Sequence, residues 1–228
     1  NFWFLRDPEF WRVMWNTLRI SVFKFLFGWP APIILALLLN EVRNVTFKKT
    51  VQTITFLPHF ISWVMFAGLI YKLLDYAPDS PINMIRSLFG LEPVAIMGNQ
   101  SAFIPILVVT YIIKEVGWGT IIYLAAISGI DPELYEAAVV DGGGTWVRIR
   151  HITLPGILPT IAILLVLSIP RLLLAGFDQV YNMKNPSVER LANITDIYVL
   201  RMGIIQGAYA YATALGLVFS SLTLILTL

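Results

Sequence analysis

Long apolar stretches alternate with short polar ones along this chain. Five apolar stretches, at residues 17–39, 53–74, 102–127, 157–177 and 202–228, each reach the about 20 residues a helix needs to cross a ~30 Å hydrocarbon core. None carries the alternating pattern of a membrane barrel strand. The pattern therefore predicts an all-α, polytopic membrane protein with five spans, each satisfying its own backbone groups. Ahead of the first span, Trp3, Trp11 and Trp15 stand among Arg6, Asp7, Glu9 and Arg12, a mixture suited to a segment at headgroup level. Gly28, Trp29, Pro30 and Pro32 predict a kink or a tight packing point inside that span. The chain opens without a basic n-region and cleavage site, and it ends inside an apolar run at Leu228. Both ends read as trimmed, and a sixth span is expected in the full chain.

Composition narrows the class. With 57% hydrophobic and 13% charged residues and a mean hydropathy of +0.76, the chain is too apolar for a soluble domain. It has no cysteine, which removes disulfides and thiol chemistry, and a net charge of +2 gives no reason to expect nucleic acid as a partner. Five crossings put the links 40–49 and 131–155 on one side of the bilayer and the links 75–101 and 178–201 on the other. Basic residues do not name the sides: Arg43, Lys48, Lys49, Arg148 and Arg150 stand against Arg6, Arg12, Lys72, Arg86, Lys184, Arg190 and Arg201.

The link 131–155, DPELYEAAVVDGGGTWVRIRHITLP, is the most informative segment. Asp131 can cap a helix whose first position suits Pro132, and Glu133 complements the helix dipole. A helix from Pro132 to about Val140 should stop at Gly142, Gly143 and Gly144. Thr145 can cap a second short helix through His151, and Pro155 is expected to push Leu154 out of helical geometry before the next span. Ala137 and Ala138 offer a face that another backbone can approach closely, and Glu136 can anchor by a charge-assisted hydrogen bond. Taken alone, the segment is also an ordinary capped helical loop.

The spacing Glu136, Ala137, Ala138, three residues, Gly142, nine residues, Ile152, one residue, Leu154, Pro155 resembles the EAA motif of permease subunits from binding-protein-dependent ABC importers. The resemblance covers most of the chain. NTLRIS at 16–21, LPHFIS at 57–62, the run 114–142 and AGFDQVYNM at 175–183 are similar to the carbohydrate, maltose-permease branch, above all to importers of oligosaccharides and larger glycans such as alginate. Such a likeness implies a type I ABC importer permease fold across 1–228 in a bacterial inner membrane. It further implies a cytoplasmic coupling element at 131–155, in which Glu136, Ala137, Ala138, Asp141, Gly142, Ile152, Leu154 and Pro155 meet an ATPase subunit. Where the family more often has alanine or another small residue, this chain has Gly143 and Gly144, which predicts a looser turn. The implied partners are two ATPase subunits that bind ATP and Mg, a second permease chain, an extracytoplasmic solute-binding protein and the glycan. No phosphate-binding loop of the type G-x-x-x-x-G-K-[ST] occurs, so this chain is expected to be no enzyme and to bind no cofactor itself.

Polar residues inside spans usually face a bundle interior, a partner or a wet path. Tyr111, Glu115, Trp118, Ser168, Arg171, Phe177, Asp178 and Gln179 are the candidates for a translocation path, because aromatic faces stack on sugar rings while amides and carboxylates bond hydroxyls. A structural ion pair or packing aromatics would explain the same residues. Lys114 and Glu115 point about 100° apart on a helix and cannot line one stripe. Arg171 could pair with an acidic sugar such as a uronate. His59 and His151 stand alone without ligand spacing, so no metal is expected. Two other classes compete: a secondary transporter or channel subunit, which should show inverted repeats, and a membrane enzyme, which needs a catalytic constellation. Neither feature is found.

Overall fold

A computed structural model describes residues 6–227, so Trp3 and Leu228 lie outside the described residues. The elements run α1 (Pro8–Gly28), α2 (Pro30–Glu41), α3 (Val45–Phe56), a 3-10 turn (Leu57–Phe60), α4 (Trp63–Leu73), α5 (Pro81–Leu88), α6 (Gln100–Ser128), α7 (Pro132–Val140), α8 (Thr145–Arg148), a π turn (Ile149–Thr153) and α9 (Leu154–Ser168). A 3-10 turn (Ile169–Leu173), α10 (Phe177–Met183), α11 (Glu189–Ala192), α12 (Thr195–Leu200), a second π turn (Arg201–Ile205) and α13 (Tyr209–Thr227) complete the chain. Among the described residues the regular structure is all helical.

Among the described residues, three helices are long and apolar enough to cross a membrane: Pro8–Glu41, Gln100–Ser128 and Thr145–Leu173. The first runs 34 residues, because nothing between Pro8 and Gly28 breaks the helix and Trp29 keeps helical angles. The segment carrying Trp11 and Trp15 is thus the opening of α1 and not a separate surface helix. The expected second span is divided. Pro58 has no N–H for a helix, Ser62 takes an extended backbone, and its hydroxyl caps α4 by accepting from the Met65 amide at 3.3 Å. Counted together, α3 and α4 make a fourth span, and the apolar α13 is shorter. It starts late, at Tyr209, because Gly207 turns left-handed at φ +70° after the π turn.

Two compact units emerge. Residues 6–25, 61–110 and 169–227 form one, with Phe10, Val13, Tyr198 and Leu215 at a core where α1, α12 and α13 meet. In this unit Asn16 donates to the backbone carbonyls of Arg190 and Asn193, and Arg201 pairs with Glu9 at 2.6 Å. Leu26–Phe60 and Tyr111–Ser168 form the other, where Ile33, Ala36, Tyr123, Ile127, Ile157 and Ile161 join α2, α6 and α9. α3 and α6 approach closely at Gly117, where an added Cβ would lie 2.2 Å from the Thr55 carbonyl oxygen. Gly117→Val should therefore force α3 and α6 apart, lowering stability by at least the about 1–3 kcal/mol typical of overpacking. A fall in the thermal midpoint of the detergent-purified protein would register it, and an unchanged midpoint would refute it.

Candidate functional site

In the second unit, the link 131–155 folds as a helical hairpin. Asp131 caps α7, its carboxylate accepting from the Glu133 amide at 3.0 Å. The helix ends when the Asp141 amide bonds the Ala137 carbonyl and Gly142 swings to φ +77°. Gly143 then donates to the Ala138 carbonyl at 2.7 Å, so close that a Cβ on Gly143 would sit 2.7 Å from the same oxygen. Gly143 makes this turn tighter than expected, because only a residue without Cβ fits there, whereas a Cβ on Gly144 would meet nothing within 4 Å. The Tyr135 and Thr153 hydroxyls share a hydrogen bond at 3.0 Å that ties α7 to the π turn, and Arg148 pairs with Glu41 at 3.3 Å, fixing the hairpin to the end of α2.

Beyond the turn the structure departs from two expectations. Gly144, not Thr145, occupies the cap position, and Thr145 is already helical. Nor does Pro155 end anything: Leu154 has φ −65° and ψ −45°, and α8 continues through the π turn into α9. The Leu154 amide reaches back five residues to the Ile149 carbonyl, and this wider turn gives the Pro155 ring room beside the preceding carbonyls. Of the residues expected to meet an ATPase, Glu136, Ala137, Asp141, Gly142, Leu154 and Pro155 are exposed, while Ala138 and Ile152 are half-buried. Two apolar side chains outside that set stand out beside them: Val140 is 86% and Trp146 is 71% exposed. With the exposed Leu134, Val139 and Val147 they make this polar loop a candidate contact surface.

A second constellation in this unit lies where α6 passes the 3-10 turn after α3. Lys114 is buried and donates to the carbonyls of Pro58 and His59 at 3.3 and 2.7 Å. Glu115 meets the His59 ring nitrogen at 3.0 Å. The His59 ring stacks on Trp118 with centroids 4.6 Å apart and planes 8° from parallel, and Phe56 stacks on the same indole at 5.7 Å. Trp118 nevertheless remains 47% exposed. Lys114 and Glu115 thus grip one turn, the first by its backbone and the second by a side chain. Sequence reasoning missed His59, whose only signal was an isolated histidine next to Pro58 inside the predicted second span. It also missed the half-open cavity of about 240 Å³ next to this cluster, lined by Gln52, Thr53, Phe56, Thr120 and Leu124 among others.

The remaining path candidates have simpler surroundings. The Tyr111 ring packs against Gly28, and the Ser168 hydroxyl donates to the Leu165 carbonyl at 2.6 Å. In the first unit, Arg171 and Asp178 are exposed, and Phe177 stacks on Tyr181 at 5.1 Å. Gln179 departs from expectation. It is 1% exposed, and its amide donates to the Leu107 carbonyl and the Thr110 hydroxyl at 2.7 and 2.8 Å, a packing role that holds α10 on α6. Among the described residues, no group of three or more His, Asp or Glu side chains is placed to hold a metal ion.

Comparison with known proteins places the chain. Residues 25–228 match the family described as "binding-protein-dependent transport system inner membrane component", and the chain belongs to that family. It is a multi-pass inner-membrane transport subunit with the permease fold expected from its EAA-like segment. Among its relatives in Bacillus subtilis (strain 168) are protein LplB, 44% identical over 98% of this chain and 70% of that protein, and the polygalacturonan/rhamnogalacturonan transport system permease protein YteP, 42% identical over 97% and 69%. A crystal structure of a bacterial ABC transporter involved in the import of the acidic polysaccharide alginate superposes with a TM-score of 0.93 at 40% identity, covering 97% of this chain and 77% of that one. The same score and identity hold for the alginate transporter in complex with an alginate pentasaccharide-bound periplasmic protein.

Proposed function

We propose that this chain is one of two transmembrane permease subunits of an ABC importer for acidic oligosaccharides. Two ATPase subunits, holding ATP and Mg, drive it from the cytoplasm, and a solute-binding protein feeds it from outside. The hairpin 131–155 is its cytoplasmic coupling element: Glu136, Ala137, Ala138, Asp141 and Gly142, with Val140 and Trp146 beside them, seat in the ATPase, and Ile152, Leu154 and Pro155 pass the stroke into α9. The observation that carries this reading is the exposed apolar and small-residue face of that hairpin, in a chain 40% identical to a subunit of an alginate transporter. Polygalacturonan and alginate, named for two relatives, share carboxylate-bearing sugars.

On this reading Glu115, Trp118 and His59 form a sugar-handling surface, with Tyr111 and Ser168 as its supports. Arg171, Phe177 and Asp178 meet the glycan in the other unit, with Gln179 holding their helix in place. An arginine fork suits a uronate carboxylate. ATP-dependent uptake of labelled oligogalacturonate, oligoalginate and neutral malto-oligosaccharide into proteoliposomes of the assembled transporter tests both claims. Acidic chains should be imported and neutral ones not. Arg171→Gln should lower acidic uptake roughly tenfold or more, the worth of one hydrogen bond to a charged group. Unchanged uptake would remove Arg171 from the path, and absence of ATP-dependent glycan uptake by the wild type would defeat the importer reading.

A further inference from the structure

The first unit contains an inside-out helix. Along α5, Pro81, Met84, Ile85 and Leu88 share one face, and Asn83 and Arg86 point the other way. A helix on a water-soluble surface turns its apolar stripe inward. Here the polar face is inward. Asn83, 1% exposed, donates to the carbonyls of Asp75, Tyr76 and Ala77 at 2.9, 3.0 and 3.2 Å and accepts from the Val94 amide at 3.0 Å. Arg86 donates through two nitrogens to the Glu92 carbonyl, at 3.1 and 2.9 Å. These bonds knot the link between α4 and α6 onto the polar side of α5. The stripe is thereby fixed outward, with Leu88 83% and the adjoining Phe89 75% exposed, and with Met84, Ile85 and Leu91 each more than half exposed.

What covers this stripe is read from its chemistry and its tether. The link leaves the apolar α4 at Leu73 and joins the apolar α6 at Gln100, so both of its ends are held by helices of a membrane protein. Met84, Ile85, Leu88, Phe89 and Leu91 offer no hydrogen-bonding side chain, whereas protein interfaces average about one hydrogen bond per 100–200 Å². Charge does not draw the segment to a surface either: Lys72 and Arg86 stand against Asp75, Asp79 and Glu92, a balance of one negative. Tyr76, also exposed, and Phe89 supply the aromatic rings that favour headgroup depth.

We propose that α5 is an interfacial anchor: its Met84, Ile85, Leu88 and Phe89 side chains insert about 5–10 Å into the boundary of headgroups and acyl chains, driven by apolar area and not by charge. The chain has no cysteine, so an introduced cysteine is its single thiol, and partner subunits with their own cysteines replaced keep the label unique in the assembly. A bimane fluorophore would be attached at Met84→Cys, Leu88→Cys and, as a control on the exposed polar approach, Asp79→Cys. The full transporter would then be placed in phosphatidylcholine nanodiscs with and without bromine on the upper acyl carbons. Quenching by brominated lipid should be at least roughly twofold stronger at the two stripe positions than at Asp79, and unaltered by raised salt. Quenching no stronger than at Asp79 would overturn the proposal, whether the labels are then open to acrylamide in the water or shielded by another protein.

Discussion

Glu136→Lys is expected to abolish stimulation of ATP hydrolysis by the loaded binding protein. Glu136 is exposed on α7, beside Ala137 and the protruding Val140, so docking would desolvate its carboxylate among small and apolar groups. A carboxylate at such a place needs a donor in the partner. Losing one member of a desolvated charge pair costs about 2–5 kcal/mol, and reversal adds repulsion, so the ATPase contact should weaken by a factor of roughly 30 or far more. Folding should be spared, because exposed substitutions usually stay within ~0.5 kcal/mol. The variant should therefore reach the membrane with an unchanged thermal midpoint, while ATPase subunits no longer copurify or no longer respond. Wild-type stimulation in Glu136→Lys would refute the coupling role.

Much of this hairpin was legible in the sequence because local chemistry decides it. Asp131, Pro132 and Gly142 act within a turn of themselves, and α7 forms where their spacing puts it. Pro155 misled because its effect depends on the width of the preceding turn: a π turn accommodates a proline that an α-turn would not. Gly143 misled in the opposite direction, since its value lies in a 2.7 Å approach to Ala138 that no composition rule records. The division of the second span was half visible in Pro58, but hydropathy alone ran straight through it. The Glu115–His59 contact joins residues 56 positions apart, and only the packing of α6 against the turn makes His59 a partner. Buried Gln179 shows the limit in reverse, as its amide is used to pack the short helix α10 against α6, and a polar side chain meets packing needs as readily as functional ones.

Trp118→Ala should separate cargo from engine. The Trp118 indole stacks against His59 and Phe56, and 47% of the residue remains exposed. Glu115 is held by His59 at 3.0 Å, one helical turn before Trp118 on α6. If this surface handles the glycan, removing the indole deletes a well-placed aromatic anchor, worth about 2–3 kcal/mol by analogy with binding hot spots, or a roughly 30- to 150-fold fall in uptake. The hairpin is untouched by the change, so stimulated ATP hydrolysis should continue within about twofold, leaving an importer that turns over without delivering. Glu136→Lys should silence hydrolysis and uptake together; Trp118→Ala should silence uptake alone. Equal loss of both in Trp118→Ala, with the protein still folded, would mean that the Trp118 cluster transmits the stroke, and the glycan surface would then have to be sought elsewhere.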